Sequence, residues 1–370
     1  MTAVVRPPPG LETRPTRRDV ADAAARLHGL IRRTPLVPSS GFDGWLKLES
    51  LQHTGAYKVR GALNALLQQA ARGDRRLVVA ASAGNHAAGV AYAARLVGLE
   101  VITVVPATAP RAKIARTAAL GARVIEHGPH FEAAYAEARR LARVNGWRFL
   151  HAFDDPDIIA GQGTIAFELL HHQPDVVLVP IGGGGLAAGM GLVLAAYGVR
   201  LVGVQVAGVD AMARALRGDT APFHPAETIA DGVRVRAPGA LTTQICREVL
   251  DDIITVTEAE VRAAMLRLAV DDRIVAEGAG ALAAAGLHRV AGRRKIAVVS
   301  GGNVDLDALL RLRPERGPAP TNTPTPPQPA SASNALPHLP SAPWGRGPSD
   351  VVVASNRHRS AAQIVAQKIV

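Results

Sequence analysis

The chain has 370 residues, enough for two ordinary domains or for one α/β enzyme built from two lobes. Apolar residues make up 48% and aromatics only 4%, which excludes wholesale disorder and suits helices lying close on parallel strands. The net charge of +11 comes largely from arginines that occur singly or as pairs such as Arg17-Arg18, Arg75-Arg76 and Arg293-Arg294. There is no long basic run and no interleaving of aromatics, so no nucleic-acid partner is expected.

In chain order, Met1–Gly10 is short of apolar residues and carries Pro7-Pro8-Pro9, so it does not read as a signal peptide. The stretch from Leu46 to Gly61 places Lys58 beside Tyr57, just ahead of a helical pattern. A lone lysine is ordinarily a solvated surface group, but it becomes a catalyst when it can condense with a carbonyl as a Schiff base. From Leu77 the rhythm is strand, loop, helix: strands over Leu77–Ala81, Glu100–Val105 and Ala122–Ile125 alternate with helices over Asn85–Leu96, Arg111–Leu120 and Phe131–Val144. A second series begins near Phe149, with a helix over Gly163–Leu170, a strand over Val176–Val179, a helix after Gly185 and a strand over Leu201–Val204. Helices over Glu258–Ala269 and Ala279–Leu287 lead to a last strand, Lys295–Val299. Such alternation implies right-handed crossovers and a parallel sheet.

No charged residue occurs from Val176 to Val199, but Pro180 and the glycines Gly182 to Gly185 interrupt the run, so it does not read as a membrane span. Cys246 is the single cysteine; neither a disulfide within the chain nor a cysteine zinc cluster is available, and a cytoplasmic location is expected. The segment Pro314–Pro348 is rich in Pro, Ala, Ser and Thr and reads as disordered, and Val351–Val370 is compatible with one short amphipathic helix. The organisation expected is a large lobe from 1–74 plus 146–312, a small lobe from 75–145, and a tail from 313–370 with no regulatory domain.

Three segments sit where a strand ends. Ser82-Ala83-Gly84-Asn85-His86 precedes a helix, where free backbone amides attract anions; its ordinary reading is a helix capped by Ser82 or Asn85. Gly182-Gly183-Gly184-Gly185-Leu186 also opens a helix, and glycines let a backbone approach a phosphate. A dinucleotide site would use the same device, but it calls for an acidic residue at the tip of the next strand, where Gln205 stands. Ser300-Gly301-Gly302-Asn303 ends the last strand and, taken alone, is a turn.

Taken together, these segments resemble the fold-type II pyridoxal-phosphate enzymes, specifically the serine/threonine dehydratase family, over about Arg32 to Asn303. The resemblance implies a two-lobed α/β fold like the tryptophan synthase β chain, with parallel sheets flanked by helices and pyridoxal 5'-phosphate in the cleft between the lobes. It implies that Lys58 holds the cofactor, that Gly182, Gly183, Gly184, Gly185 and Leu186 cradle its phosphate, and that Ser300 bonds the pyridine nitrogen. Tyr57 and the Asp231-Gly232 segment would lie on opposite faces of the ring, with Glu277 near it. Ser82, Asn85 and His86 would grip the substrate carboxylate, Asn85 also reaching the ring hydroxyl. Gly161-Gln162-Gly163-Thr164 matches a helix-opening motif of the family, and Gly278 stands where a proline is usual.

Ala88 replaces a common glutamine, and Gln205-Val206 a common Glu-Pro. With Ala211 nearby, no carboxylate is offered to a hard cation, so no tight Mg²⁺ or Ca²⁺ site is expected. Ala83 stands where related serine racemases carry a serine that moves a proton, so dehydration is favoured over racemisation. The activity implied is that of a lyase: an ammonia-lyase converting L-threonine or L-serine to 2-oxobutyrate or pyruvate plus ammonia, with Lys58 and Ser300 as its catalytic residues. The alternatives are a dehydratase for hydroxyaspartate or phenylserine, a synthase, or a non-catalytic protein that binds the cofactor or an amino acid. A homo-oligomer of two or four chains is typical of the family.

Overall fold

The computed structural model describes residues 14–312. The expectations for Met1–Gly10, for the tail at 313–370 and for a helix within Val351–Val370 lie outside those residues.

The strands are β1 (Leu36–Pro38), β2 (Trp45–Leu48), β3 (Val78–Ala81), β4 (Val101–Val105), β5 (Arg123–Glu126), β6 (Arg148–Phe149), β7 (Val176–Pro180), β8 (Arg200–Val206), β9 (Asp252–Val256) and β10 (Lys295–Val299). The helices of the first half are α1 (Arg17–Leu27), α2 (Lys58–Ala71), α3 (Asn85–Val97), α4 (Arg111–Ala119), α5 (Phe131–Asn145) and α6 (Pro156–Leu169). Those of the second half are α7 (Gly185–Leu194), α8 (Ala211–Leu216), α9 (Ala240–Val249), α10 (Glu258–Val270), α11 (Gly278–Ala285) and α12 (Leu306–Leu310).

Two sheets result, one of six strands ordered β1-β2-β10-β7-β8-β9 and one of four ordered β5-β4-β3-β6. Every pairing is parallel except β1 with β2. Strands β3, β4, β7 and β10 are buried at every position, which is why they read as near-continuous apolar runs, broken only by Thr103 in β4 and Lys295 at the start of β10, and not as alternating patterns. No helix among the described residues is long and apolar enough to cross a membrane.

Three sequence expectations need correction. Arg148–Phe149 pairs with β3 and completes the four-stranded sheet, so it does not open the second series. Helix α6 starts at Pro156, not Gly163: Asp155 caps it by accepting from the Ile158 amide at 3.0 Å, and Pro156 stands at its first position. Gly161-Gln162-Gly163-Thr164 therefore lies inside a helix. Its glycines serve close packing: a Cβ on Gly161 would stand 2.6 Å from Cα of Gly61 in α2, and one on Gly189 of α7 would stand 2.7 Å from the Gly163 nitrogen. Gln205 is the last residue but one of β8, whose tip is Val206.

A buried ionic cluster ties α2 to β2 and α6. Arg60 forks onto Glu49, Nε to Oε2 at 2.8 Å and Nη2 to Oε1 at 2.7 Å, and both side chains are fully buried. Its Nη1 reaches Glu168 at 2.7 Å, and Glu168 also pairs with Lys47. Burial alone would raise the Glu49 carboxyl, but the Arg60 charge and its hydrogen bonds hold it below the usual carboxylate range.

Candidate active site

The carboxyl ends of β3, β6, β7 and β10 point to one cavity of about 1210 Å³. This is the edge at which open α/β sheets place ligands. Tyr57, Lys58, Ser82, Asn85, His86, Gly182 to Leu186, Gly232, Glu277 and Ser300 all line it. The structure thus brings together every site residue singled out from sequence.

Lys58 is the first residue of α2 and is partly buried at the cavity wall. Its Nζ donates to the Ala152 carbonyl at 2.8 Å and lies 5.2 Å from the centre of the Tyr57 ring. No carboxylate among the described residues pairs with it, so burial acts unopposed and brings the amine down to about 8. The neighbouring Tyr57 amide donates to the Ser300 carbonyl at 3.1 Å, which joins the lysine segment to the end of β10. The Ser300 hydroxyl is buried and donates to the Ala279 carbonyl at 3.3 Å.

The loop before α3 is not capped by a side chain. Gly84 is its N-cap residue, while the Ser82 hydroxyl accepts from the Gly84 amide at 3.1 Å. Asn85 is occupied elsewhere: its Nδ2 donates to Glu277 Oε1 at 2.6 Å, and its Oδ1 accepts from Asn303 Nδ2 at 2.6 Å. Asn303 also donates to the Thr54 carbonyl at 2.8 Å, so the asparagine pair links α3 to the loops of the larger sheet. Burial, then the nearby Asp231, pushes the Glu277 carboxyl up to about 7. His86 is buried, with Nε2 3.1 Å from the Leu150 carbonyl. A carbonyl can only accept, so Nε2 carries the proton and Nδ1 keeps a bare lone pair, which has no partner. Burial, reinforced by the Lys58 charge, holds this imidazole down near 3.

The loop before α7 works by different means. The amides of residues 182–187 have no acceptor among the described residues. Gly184 has φ of +95°, a conformation that favours glycine, and a Cβ on Gly182 would stand 2.8 Å from Cα of Val233. A Cβ on Gly183 would run into the ring of Phe153. A run of free donors at a helix start, bare of side chains, fits a phosphate group. Gly278 is also explained, since a Cβ there would collide with the Ile229 carbonyl oxygen and a proline would not fit.

Several cavity residues escaped the sequence reading. His151 follows β6, its Nδ1 accepting from the amides of Phe153 at 3.3 Å and Asp154 at 2.9 Å. Burial brings its imidazole down to about 4. Its position just past a strand, like Ser82 and Gly182, was the available signal. Lys113, also missed, meets Asp231 of the segment singled out above at 2.7 Å at the cavity wall, both substantially exposed. The Gln205 amide is taken up by the Ile181 carbonyl at 3.1 Å and the Ala213 amide at 2.9 Å. No group of three or more His, Cys, Asp or Glu among the described residues could hold a metal ion.

A family model described as pyridoxal-phosphate dependent enzyme matches residues 27–301. The chain belongs to that family. Its cofactor is pyridoxal 5'-phosphate, in keeping with the free amides at 182–187 and the depressed lysine. Among curated relatives, L-threonine ammonia-lyase of Thermotoga maritima is 40% identical over 311 residues, covering 80% of this chain and 78% of the relative. Among solved structures, a threonine deaminase from T.th. is 36% identical with a TM-score of 0.73, covering 79% of this chain and 99% of the other. Maize serine racemase is 31% identical with a TM-score of 0.75, covering 81% and 97%. Members of this pyridoxal-phosphate family with different reactions thus share the fold, and local residues must separate them.

Proposed function

We propose that this chain is a pyridoxal-phosphate-dependent ammonia-lyase that dehydrates and deaminates L-threonine, and L-serine second, to 2-oxobutyrate or pyruvate and ammonia. The observation that carries the reading is Lys58: an amine with no carboxylate partner among the described residues, lowered to about 8, at the wall of the cavity that the free amides of residues 182–187 also line. The similarity to L-threonine ammonia-lyase and threonine deaminase supports the substrate class. Ala83 supports elimination over racemisation, because it offers no proton to the second face of the substrate carbon.

Pyridoxal phosphate, when bound, supplies the electron sink that makes the substrate Cα proton acidic. Lys58 would hold the cofactor through its amine and, when that amine is free, would take the Cα proton. The Ser82 hydroxyl and the backbone amides of Asn85 and His86 at the start of α3 would receive the substrate carboxylate and turn the Cα–H bond toward Lys58. The amides at Gly182 to Leu186 would receive the phosphate, Tyr57 and Gly232 would flank the ring, and Glu277 would stand near it, held by Asn85. The Ser300 hydroxyl would serve the ring nitrogen, where a neutral partner would leave the ring weakly protonated and favour prompt loss of the β-hydroxyl as water. Hydrolysis of the released enamine then gives the 2-oxo acid and ammonia. A small amino acid is the partner, and a homo-oligomer of two or four chains acting in the cytoplasm follows from the family resemblance.

The test is to incubate the cofactor-loaded protein with L-threonine, L-serine, erythro-hydroxyaspartate and phenylserine, following oxo acid and ammonia together. Equimolar 2-oxobutyrate and ammonia, fastest from L-threonine, is the expected result. Faster turnover of hydroxyaspartate or phenylserine would replace the substrate, and cofactor binding with no ammonia from any of the four would overturn the lyase.

A further inference from the structure

The loop from His151 to Asp155 touches three parts of the site at once. Its Ala152 carbonyl receives the Lys58 amine at 2.8 Å. The ring of Phe153 packs on Gly183, leaving no room for a Cβ there. The Asp154 carboxylate accepts from the amides of Ala240 at 3.1 Å and Thr242 at 3.0 Å at the start of α9. The Thr242 hydroxyl in turn donates to the Gly183 carbonyl at 2.6 Å. The loop therefore spans from the lysine to the glycine loop.

Its conformation is set from within. His151 Nδ1 accepts from two amides, two and three residues onward, as an aspartate or asparagine oxygen does in an Asx turn. Both partners are donors, so Nδ1 must hold its lone pair and the ring must stay neutral with the proton on Nε2. The ring is wedged edge-on to Phe153 at 4.5 Å between centres and lies against Tyr135 at 5.8 Å, which fixes its direction.

We propose that His151 is a positioning residue of this site: its Nδ1 clips residues 151–154 into the turn that presents the Ala152 carbonyl to Lys58 and seats Phe153 under the glycine loop. This role rests on the reading of the cavity as the cofactor site. The part of the imidazole that matters is the acceptor atom, which an asparagine reproduces and a phenylalanine does not.

The experiment compares wild type, His151→Asn and His151→Phe by two measurements. One is amide hydrogen exchange of the peptide covering residues 151–155 in the apoprotein. The other is the dissociation constant for pyridoxal phosphate, titrated by fluorescence into the same apoprotein. His151→Phe is expected to raise the exchange rate of the Phe153 and Asp154 amides and the dissociation constant each about tenfold. His151→Asn is expected to stay within about threefold of wild type on both. The inference is overturned if His151→Phe binds the cofactor as wild type does, or if both variants lose affinity equally, which would assign the effect to ring packing. Should wild type itself bind no pyridoxal phosphate, the cofactor reading falls, and this role with it. Unchanged exchange in His151→Phe would refute the clip on its own, whatever the cofactor does.

Discussion

Two groups of ionisable residues, one around Arg60 and one around Lys58 of α2, answer burial in opposite ways. In the cluster of Glu49, Arg60, Glu168 and Lys47, the carboxylate of Glu49 and the guanidinium of Arg60 are fully buried and keep their charges because each is met by a forked partner. Even Lys47, which burial pushes downward, is partly restored by Glu168. In the cavity, Lys58, His86, His151 and Glu277 have no such partner, and each is driven toward its neutral form, to about 8, 3, 4 and 7 respectively. Pairing keeps charge and holds helices together, whereas desolvation without an ionic partner neutralises the cavity groups and leaves Lys58 and Glu277 able to exchange protons near neutral pH.

The largest expected effect falls on the cavity. Lys58→Ala should cut turnover of L-threonine by at least roughly 10⁴-fold while leaving the thermal midpoint nearly unchanged, since no ion pair is lost. Turnover and melting by circular dichroism on one preparation check both halves.

In the paired cluster the reverse should hold. Arg60→Met leaves Glu49 buried without its partner and should cost about 3–5 kcal/mol of stability. The double variant Arg60→Met with Glu49→Leu should recover most of that loss, as measured by urea unfolding. A double variant no better than the single would break the comparison at its root.

The third test uses pH. The folded value of Lys58 is lowered to about 8, so the uncharged amine needed to capture the cofactor is the minority below that point and predominates above it. Capture of pyridoxal phosphate by the apoprotein should therefore rise about tenfold per pH unit up to about 8 and then level off. A rate still rising steeply between pH 9 and 10 would show that the amine is not lowered. The smallest effect belongs to an exposed pair. Asp231→Asn, which breaks the contact with Lys113, should change unfolding stability by less than about 1 kcal/mol because solvent screens both groups.

How much of this was legible in the sequence depended on whether the signal was local. Strands β3, β4, β7 and β10 stood out because burial on both faces writes a near-continuous apolar run. The short edge strand β9, only partly buried at most positions, left no such mark, nor did helices α1 and α9. The start of α6 was written in Asp155-Pro156, but the glycines at 161 and 163 drew the boundary too late. Lys58 and the loops at 82–86 and 182–186 were identified by residue type and order. Neither the Glu49–Arg60–Glu168–Lys47 cluster nor the Asn303–Asn85–Glu277 chain could be read, because their members come together only when separate elements pack. Asn85 illustrates the point: the local rule made it a cap, and tertiary structure turned its side chain to Glu277.

The contact of α2, α6 and α7 through Gly61, Gly161, Gly163 and Gly189 bears on how the protein tolerates change. Backbone meets backbone there, and each added carbon would act as a wedge between the helices. Each glycine also carries about 0.5–1 kcal/mol of helix-disfavouring entropy relative to alanine, so an alanine at any of them would improve the isolated helix while prying apart the assembled one. In a saturation library selected for growth on threonine as nitrogen source, these four positions should be as intolerant as Lys58. None of them touches a substrate; they fix the spacing at which the lysine helix stands.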